Sequence, residues 1–381
     1  MTPFERVRAA FDHREPDRIP YDLGATHITG IHRIAYRRLL DYLGIASGDP
    51  ELLSTRTGAA KVGPELLERF KVDLRGVFPH ELPHPLTHDE EYSYYTDDWG
   101  ARWRSPRVNG LYYDILRSPL SGPLDESGID AHPWPELIDR RIIGAIASDA
   151  EAQSEKGNFP CIFETFLGSE VFDGCFFVRG FEDFYVDLAS EPQRACYLMD
   201  RMLELQLAYW EAVFQEVDLD WFIVRTGDDL GEQTSTRISP QMYRSLVKPR
   251  HERLFQGIKQ LSKGRARILF HSDGSVYPLI GDLVEAGIDA LNPVQYNTAN
   301  MDTARLKAEF GRDLVFWGGG IDTQETLPHG TPEQVREETR RRIEDLAPGG
   351  GFIFSQVHNI QADVPPENIL AMWETLQDYA R

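Results

Sequence analysis

The sequence predicts an α/β protein, a (β/α)8 TIM barrel formed by the single domain of residues 1–381. Eight short apolar runs alternate, for the most part, with segments of helical spacing, and polar residues follow most of the runs. No G-x-G-x-x-G follows any run, which disfavours a doubly wound open sheet as the alternative. The runs lie at 19–23, 73–78, 159–164, 221–225, 267–271, 290–294, 314–318 and 352–355.

The N-terminal segment predicts a short amphipathic helix over residues 2–13. Thr2 suits the N-cap, Pro3 the first helical position and Glu5 the first turn. Further helical patterns, each between two predicted strands, cover 34–43, 64–70 and 192–217. An N-terminal helical segment therefore precedes the barrel.

A long region, about residues 79–158, separates the second run from the third. Within it, EYSYYTDDWGARWRS and GLYYDILRS alternate aromatic or apolar residues with polar ones on either side of Pro106 to Gly110. This pattern predicts a β-hairpin. A connection of this length is uncommon in a compact domain unless it has a function. We interpret it as an excursion that covers one mouth of the barrel.

The stretch from Arg265 to Gln295 is typical of a βαβ unit. An apolar run ends in His271-Ser272-Asp273-Gly274, a helical pattern follows as far as Gly287, and a second run begins at Ala290. Such a unit requires parallel strands, and catalytic side chains lie just beyond the carboxyl ends of parallel strands in a barrel. Polar residues at these ends are therefore the candidates for function.

Composition excludes several classes of function. The chain has 61 acidic and 40 basic residues, a net charge of −21, which disfavours binding to nucleic acid. Its three cysteines show no C-x-x-C spacing, so neither a disulfide framework nor a cysteine zinc site is expected. Without an apolar stretch of about 20 residues or a signal-peptide pattern, we expect a cytoplasmic protein with no membrane contact.

The predicted strand ends bring together a ring of carboxylates with three imidazoles, two of which follow strands five and eight. Its members are Asp22, His27, Asp73, Glu164, Asp228, Asp229, His271, Asp273, Gln295, Asp322 and His358. Two histidines with one or two carboxylates provide nitrogen and oxygen ligands for Zn²⁺ and leave positions open for a substrate. We predict a zinc site at His271 and His358 with Asp273 or Glu164. Structural hydrogen bonding by the histidines is the alternative.

Other residues at these ends receive catalytic and substrate-binding roles. We predict that Asp228, Asp229 and His358 are catalytic, although the two aspartates could instead cap a loop or helix. Asp73 precedes the core of its strand and is interpreted as structural. The predicted substrate contacts are Tyr21, His27, Gln295, Tyr296 and Trp317.

Motifs in a fixed order carry a family resemblance. RIPYDLGAT, VDLRGVF, TGDDLGEQTSTRISPQMYRSLVKPRHERL, FHSDGSVYPLIGDLVEAGIDALNPVQ, VFWGGGIDTQETLPHGTPEQV and HNIQADVPPENILAM together resemble the uroporphyrinogen decarboxylase superfamily. The resemblance implies a TIM barrel, and dimers are common in this family. It also implies one of two activities, decarboxylation without metal or methyl transfer that depends on zinc and a corrinoid.

The resemblance is closer to the methyltransferase branch. The decarboxylases hold their substrate with an arginine-rich segment around a QAGR motif, and residues 21–26 here contain no arginine. The methyltransferases bind metal through an HxC motif after strand five and a cysteine after strand eight. This sequence has His271-Ser272-Asp273 and His358 in those places. The layout is kept, but both thiolates are replaced by harder ligands.

These observations predict a metal-dependent methyltransferase. It would move a methyl group from a small methylated substrate, such as a methoxy compound, to a corrinoid or tetrahydrofolate acceptor. A corrinoid protein and a second copy of the chain are the expected partners. Metal-independent decarboxylation of a carboxylated, tetrapyrrole-like substrate is the first alternative. A corrinoid or tetrapyrrole carrier without turnover is the second, although the chain lacks a DxHxxG motif.

Overall fold

The computed structural model describes residues 1–46, 48–79, 84–155, 157–166 and 170–380. Its strands form three sheets, of two, seven and four strands. In chain order, the strands are β1 (Ile31–His32), β2 (Ala59–Ala60), β3 (Arg75–Val77), β4 (Thr87–His88), β5 (Tyr92–Thr96), β6 (Arg102–Pro106), β7 (Asp114–Arg117), β8 (Cys161–Phe163), β9 (Phe222–Gly227), β10 (Ala266–His271), β11 (Ala290–Asn292), β12 (Val315–Trp317) and β13 (Phe352–Ile353).

The seven-stranded sheet is parallel and curls into a barrel in the order β3-β8-β9-β10-β11-β12-β13. Tyr21 closes it, because this residue forms a parallel bridge with Phe354 and its carbonyl accepts a hydrogen bond from Asp73 N at 2.9 Å. The predicted run at 19–23 is thus reduced to one bridging residue beside Pro20, which has no N–H to donate. All eight predicted runs contribute to the barrel, and the predicted TIM-barrel fold is confirmed.

Helices cover the outside of the barrel and close one end. They are α1 (Pro3–Phe11), α2 (Arg33–Leu43), α3 (Pro64–Arg69), α4 (Glu126–Ala131), α5 (Arg140–Ser154), α6 (Asp173–Arg179), α7 (Phe181–Ser190), α8 (Pro192–Glu216), α9 (Pro240–Met242), α10 (Lys248–Leu261), α11 (Ile280–Ala286), α12 (Thr303–Phe310), α13 (Thr326–His329), α14 (Pro332–Leu346) and α15 (Pro366–Gln377). A π-helical turn, Tyr243–Val247, joins α9 to α10, and a 3₁₀ turn, Tyr277–Leu279, precedes α11.

The first helix closes the amino-terminal mouth of the barrel. Thr2 and Glu5 form the reciprocal cap at its start, as the sequence predicts. The ring of Phe11 lies 5.4 Å from that of Trp221 and 6.4 Å from that of Trp317, both edge to face. These contacts join α1 to the apolar layer inside the barrel. The carboxyl-terminal mouth is left for a site.

The excursion between β3 and β8 contains more structure than the predicted hairpin. Strands β4 to β7 form a four-stranded antiparallel sheet, and α4 and α5 follow it. EYSYYTDDWGARWRS is not one strand but two, β5 and β6, because Asp97 Oδ1 accepts from Ala101 N at 2.8 Å and closes a turn between them. Residues 80–83 and 156 of the predicted excursion lie outside the described part of the chain.

None of the helices that the structure describes combines the length and apolar character needed to cross a membrane.

Candidate functional site

A cleft of about 360 Å³ opens at the carboxyl-terminal mouth of the barrel. Its wall is built mainly from β9 and from the segments that follow β8, β9, β10 and β13, together with residues from the loops before β1 and β2 and from the excursion. Seven of its charged or imidazole-bearing lining residues are His27, Arg56, Arg225, Asp229, His271, Asp273 and His358. A 360 Å³ cleft is at the lower end of the size range of small-molecule sites.

His271, the last residue of β10, directs one ring nitrogen into the cleft. Asn292 Nδ2 donates to the carbonyl of Trp317 at 3.0 Å, so the side-chain oxygen of Asn292 faces His271. His271 Nδ1 therefore donates to Asn292 Oδ1 at 2.8 Å, and Nε2 keeps its lone pair. Burial lowers the pKa of His271, even though Asp273 and Asp229 act to raise it. A neutral imidazole is the form that binds metal.

His358 has a matching arrangement after β13. Its Nδ1 donates to Asn359 Oδ1, which also accepts from Gln361 Nε2 at 2.7 Å. Its Nε2 lies 3.7 Å from one oxygen of Asp273, and His271 Nε2 lies 3.8 Å from the other. One ligand atom from each of these three residues falls within 4.8 Å of the other two.

This donor set fits a divalent metal ion. Zn²⁺ bonds of about 2.0–2.2 Å in tetrahedral geometry put ligand atoms about 3.4 Å apart, so the observed spacing needs only small side-chain movements. Three protein ligands leave a fourth position for a substrate atom. His271, Asp273 and His358 are among the residues that the sequence predicts as ligands.

Glu164, the other predicted ligand, belongs to a separate cluster. It accepts from His27 Nδ1 at 2.9 Å and from the His27 backbone N–H at 3.2 Å, and its second oxygen lies 3.4 Å from Arg225 Nε. Burial would raise the pKa of the Glu164 carboxyl, but His27 and Arg225 outweigh it and hold the pKa at about 2. Burial lowers the pKa of His27. Glu164 thus anchors His27, whose ring lines the cleft.

The two adjacent aspartates after β9 have different surroundings. Asp228 Oδ1 accepts from the backbone N–H groups of Phe172 and Asp173 at 2.8 and 2.6 Å, and its Oδ2 lies 2.8 Å from His251 Nε2. These bonds match the capping alternative, so Asp228 positions the start of α6. Asp229 lies beside the three candidate metal ligands, because its Oδ1 accepts a hydrogen bond from Asp273 N at 2.9 Å.

Asp173 is a cleft carboxyl that strand-end reasoning does not find, because it lies at the start of α6. It accepts from Asp229 N at 2.7 Å, and Arg237 lies 3.4 Å from Asp173 and 3.6 Å from Asp229. Burial and then the charges of Asp229 and Asp228 raise the pKa of Asp173 well above its usual range, and the pKa of Asp229 is lowered. The pKa values of these two neighbouring carboxyl groups are therefore shifted in opposite directions.

Four predicted substrate contacts lie outside this cleft. Tyr21 is buried in the barrel wall, and Trp317 is buried with its indole N–H donating to Asp22 at 2.9 Å. Tyr296 donates to Glu338, beside α14. Gln295 lines a smaller cavity next to the cleft, where its Oε1 accepts from Gly274 N at 2.7 Å. Tyr21 and Trp317 face the core because alternate side chains of a barrel strand point inward or outward from its wall.

Several cleft residues were not predicted. Arg225 is a charged residue at the end of an apolar strand run, which is an unusual position and could have been a signal. Arg56 lies outside the predicted strands, Tyr112 lies in the predicted hairpin and not in a barrel strand, and Phe177 lies in α6. The hydroxyl of Tyr112 donates to Gln361, so the excursion reaches the cleft.

The fold and cleft define a barrel enzyme whose polar groups converge at the carboxyl-terminal mouth. The uroporphyrinogen decarboxylase (URO-D) family model matches residues 174–379, just over half of the chain. The chain belongs to this family, and it is an enzyme of the corresponding superfamily.

Relatives of the chain carry both activities. A uroporphyrinogen decarboxylase of Saccharophagus degradans is 26% identical over 181 residues, and the match spans about half of each chain, 47%. A methylated-thiol–coenzyme M methyltransferase of Methanosarcina mazei is 25% identical over 67% of this chain and 64% of that protein. A methyltransferase structure from Methanosarcina mazei has a TM-score of 0.67 and 16% identity and covers 100% of both chains. This last likeness supports the fold.

Proposed function

We propose that the protein is a metal-dependent methyltransferase that moves a methyl group from a small methylated substrate to a corrinoid or tetrahydrofolate acceptor. The observation that carries the proposal is the group of His271, Asp273 and His358, in which both histidines keep Nε2 free for a ligand. The methyltransferase relative supports the reaction type. Cytoplasmic localisation, a corrinoid-protein partner and a homodimer are part of the same proposal.

His271, Asp273 and His358 would hold zinc. The ion would act as a Lewis acid on the heteroatom that bears the methyl group. Because histidine and carboxylate ligands leave more positive charge on zinc than thiolates do, an ether or hydroxyl oxygen is the preferred atom.

The remaining cleft residues position the substrate and supply a proton. Asp173, whose pKa is raised by burial and by the charges of Asp229 and Asp228, is the candidate proton donor to the heteroatom that loses its methyl group, and Arg237 and Asp229 keep it in place. Asp229 also fixes the backbone of Asp273. Tyr112 and Phe177 offer aromatic surface to the substrate.

Decarboxylation without metal is the second candidate, and the several relatives named uroporphyrinogen decarboxylase favour it. Here His358 and Asp229 would lie beside the carboxylate that is lost. Activity that survives exhaustive chelation, with release of CO2 from a carboxylated substrate, would establish this alternative.

Metal content tests the proposal directly. We expect about one equivalent of zinc per chain by mass spectrometry of the untagged protein, and loss of that zinc in His271→Ala and His358→Ala. His329→Ala is the matched control, because His329 is exposed at the end of α13. The zinc protein should also form methylated cobalamin or methyltetrahydrofolate from methoxy donors. Protein that takes up no zinc when it is added would contradict the proposal.

A further inference from the structure

Arg56 is a cation on the cleft wall that has no role in the chemistry described above. Its guanidinium carbon lies 5.0 Å from the ring centre of Trp103 and 4.9 Å from that of Phe177. Contact with two aromatic faces restrains the guanidinium, while its N–H groups can still donate along their own plane. The side chain also borders a second cavity of about 330 Å³, so it forms part of the partition between the two.

Arg225, which also lines the cleft, and Arg237, which contacts two of the cleft carboxylates, are already paired. Arg225 contacts Glu164 at 3.4 Å and Glu170 at 3.1 Å, and Arg237 contacts three carboxylates. Within the described ranges of the chain, Arg56 forms no ion pair and its guanidinium donates no hydrogen bond. A half-buried guanidinium with five unused donors is a ready site for a planar carboxylate, which it can bind through two parallel hydrogen bonds.

The rest of the cleft directs an anion toward this residue. Five other lining residues carry carboxyl groups, and these disfavour an anionic group elsewhere in the cleft; they are Glu170, Asp173, Asp228, Asp229 and Asp273. Ile28, Tyr112 and Phe177 line the same cleft and supply apolar surface. A volume of about 360 Å³ suits a molecule with a single ring.

We propose that Arg56 is the anion-recognition residue of this cleft and that the methylated substrate is a small molecule carrying a carboxylate, such as a methoxy-substituted aromatic acid. The second part of this inference rests on the proposed methyl transfer. The carboxylate pairs with Arg56, and the methyl-bearing oxygen faces the three metal ligands. Arg56 thus determines specificity and does not take part in the chemical step.

Calorimetric binding of two matched probes tests this assignment. With zinc-supplemented protein, we expect 3-methoxybenzoate to bind at least about tenfold more tightly than 3-methoxybenzamide, which lacks the charge. Arg56→Met should abolish the preference, and Arg56→Lys should keep part of it. Methionine can still pack on Trp103 and Phe177, so the fold should be retained, as thermal unfolding would verify.

Arg104→Met is the matched control, because this exposed arginine lies 5.0 Å from the ring of Tyr92 and away from the cleft. It should leave the preference unchanged. The assignment is wrong if 3-methoxybenzoate does not bind, if both probes bind equally to the wild type, or if Arg56→Met retains the preference. Binding of inorganic phosphate in place of the benzoate would overturn the carboxylate assignment.

His271→Ala separates this inference from the proposed function. If it loses zinc and keeps an Arg56-dependent preference, anion recognition by Arg56 stands, whatever the reaction. If His271→Ala loses both zinc and the preference for 3-methoxybenzoate, while Arg56→Met keeps that preference, the carboxylate binds the metal and the inference fails.

Discussion

At the scale of single residues, two asparagines decide which nitrogen each candidate ligand presents. Asn292 and Asn359 accept from Nδ1 of His271 and His358, which leaves Nε2 of both rings for the cleft. The amide of Asn292 is itself oriented by the carbonyl of Trp317. Partners of this kind fix the tautomer and ring position of a ligating histidine.

Asn292→Ala should therefore weaken zinc binding by about 10- to 100-fold without removing a ligand, because His271 loses the partner that orients it. A competition titration against a chromophoric chelator would measure this. Asn297→Ala is the control, since Asn297 bonds to Asp322 and Gln324 and to none of the three ligands. Unchanged zinc affinity in Asn292→Ala would mean that Asn292 has no role in the site.

At the scale of elements, the segments after β9 and β10 touch through their backbones. A Cβ at Gly231 would lie 2.6 Å from the carbonyl oxygen of Asp273, and a Cβ at Gly274 would lie 2.4 Å from the carbonyl carbon of Gly231. Only glycine permits this approach, which lets Asp229 accept from the backbone of Asp273. The close contact of two loops thus positions one metal ligand.

Gly231→Ala should push these loops apart, since the new methyl group meets backbone and no flexible side chain. We expect a loss of about 1–3 kcal/mol in the free energy of unfolding and weaker zinc binding. Urea titration and zinc competition would measure the two effects.

Gly281→Ala is the matched control. Gly281 lies in α11, and a Cβ at this position would have nothing within 4 Å of it. Alanine there should be neutral or stabilise the helix by up to about 1 kcal/mol. If Gly231→Ala and Gly281→Ala have the same free energy of unfolding and the same zinc affinity, the close contact of the two loops does not position the metal ligand.

At the scale of the whole molecule, the barrel encloses a carboxyl group in its apolar interior. Asp22 is fully buried and accepts from the indole of Trp317 at 2.9 Å and from Ala25 N at 3.1 Å. Burial raises the pKa of Asp22 to about 6, against 3.8 for the free group, although these donors act to lower it. The folded protein therefore resists ionisation of Asp22 more than the unfolded chain does.

This shift makes stability depend on pH. The contribution of Asp22 to the free energy of unfolding is fully present below about pH 4, where its carboxyl is protonated in both the folded and the unfolded chain. It is lost as the pH rises through about 6. From pH 4 to pH 7 the wild type should therefore lose up to about 3 kcal/mol of unfolding free energy that Asp22→Asn does not lose.

Chemical denaturation at the two pH values would measure this difference. Asp313→Asn, at an exposed position, is the control. The same pH dependence in Asp22→Asn and wild type would contradict the assignment. At this scale the homodimer, the single-domain organisation and the corrinoid partner stay predictions.

The sequence by itself determined the fold and its family. The order of the eight apolar runs and the helices between them sufficed, because strand and helix periodicities are local properties of the chain. It also placed His271, Asp273 and His358 at strand ends that meet at one mouth. These side chains converge because the eight predicted strands close into a barrel.

Only the tertiary structure decided what each polar group contacts. The sequence treats Asp228 and Asp229 alike, yet one caps α6 and the other adjoins the metal ligands. Arg56 and Asp173 reach the cleft from segments outside the predicted strands. Tyr21 and Trp317 face the core because side chains alternate across the barrel wall. Hydrogen bonds and ion pairs depend on distances between segments far apart in the chain, and no local pattern encodes those distances.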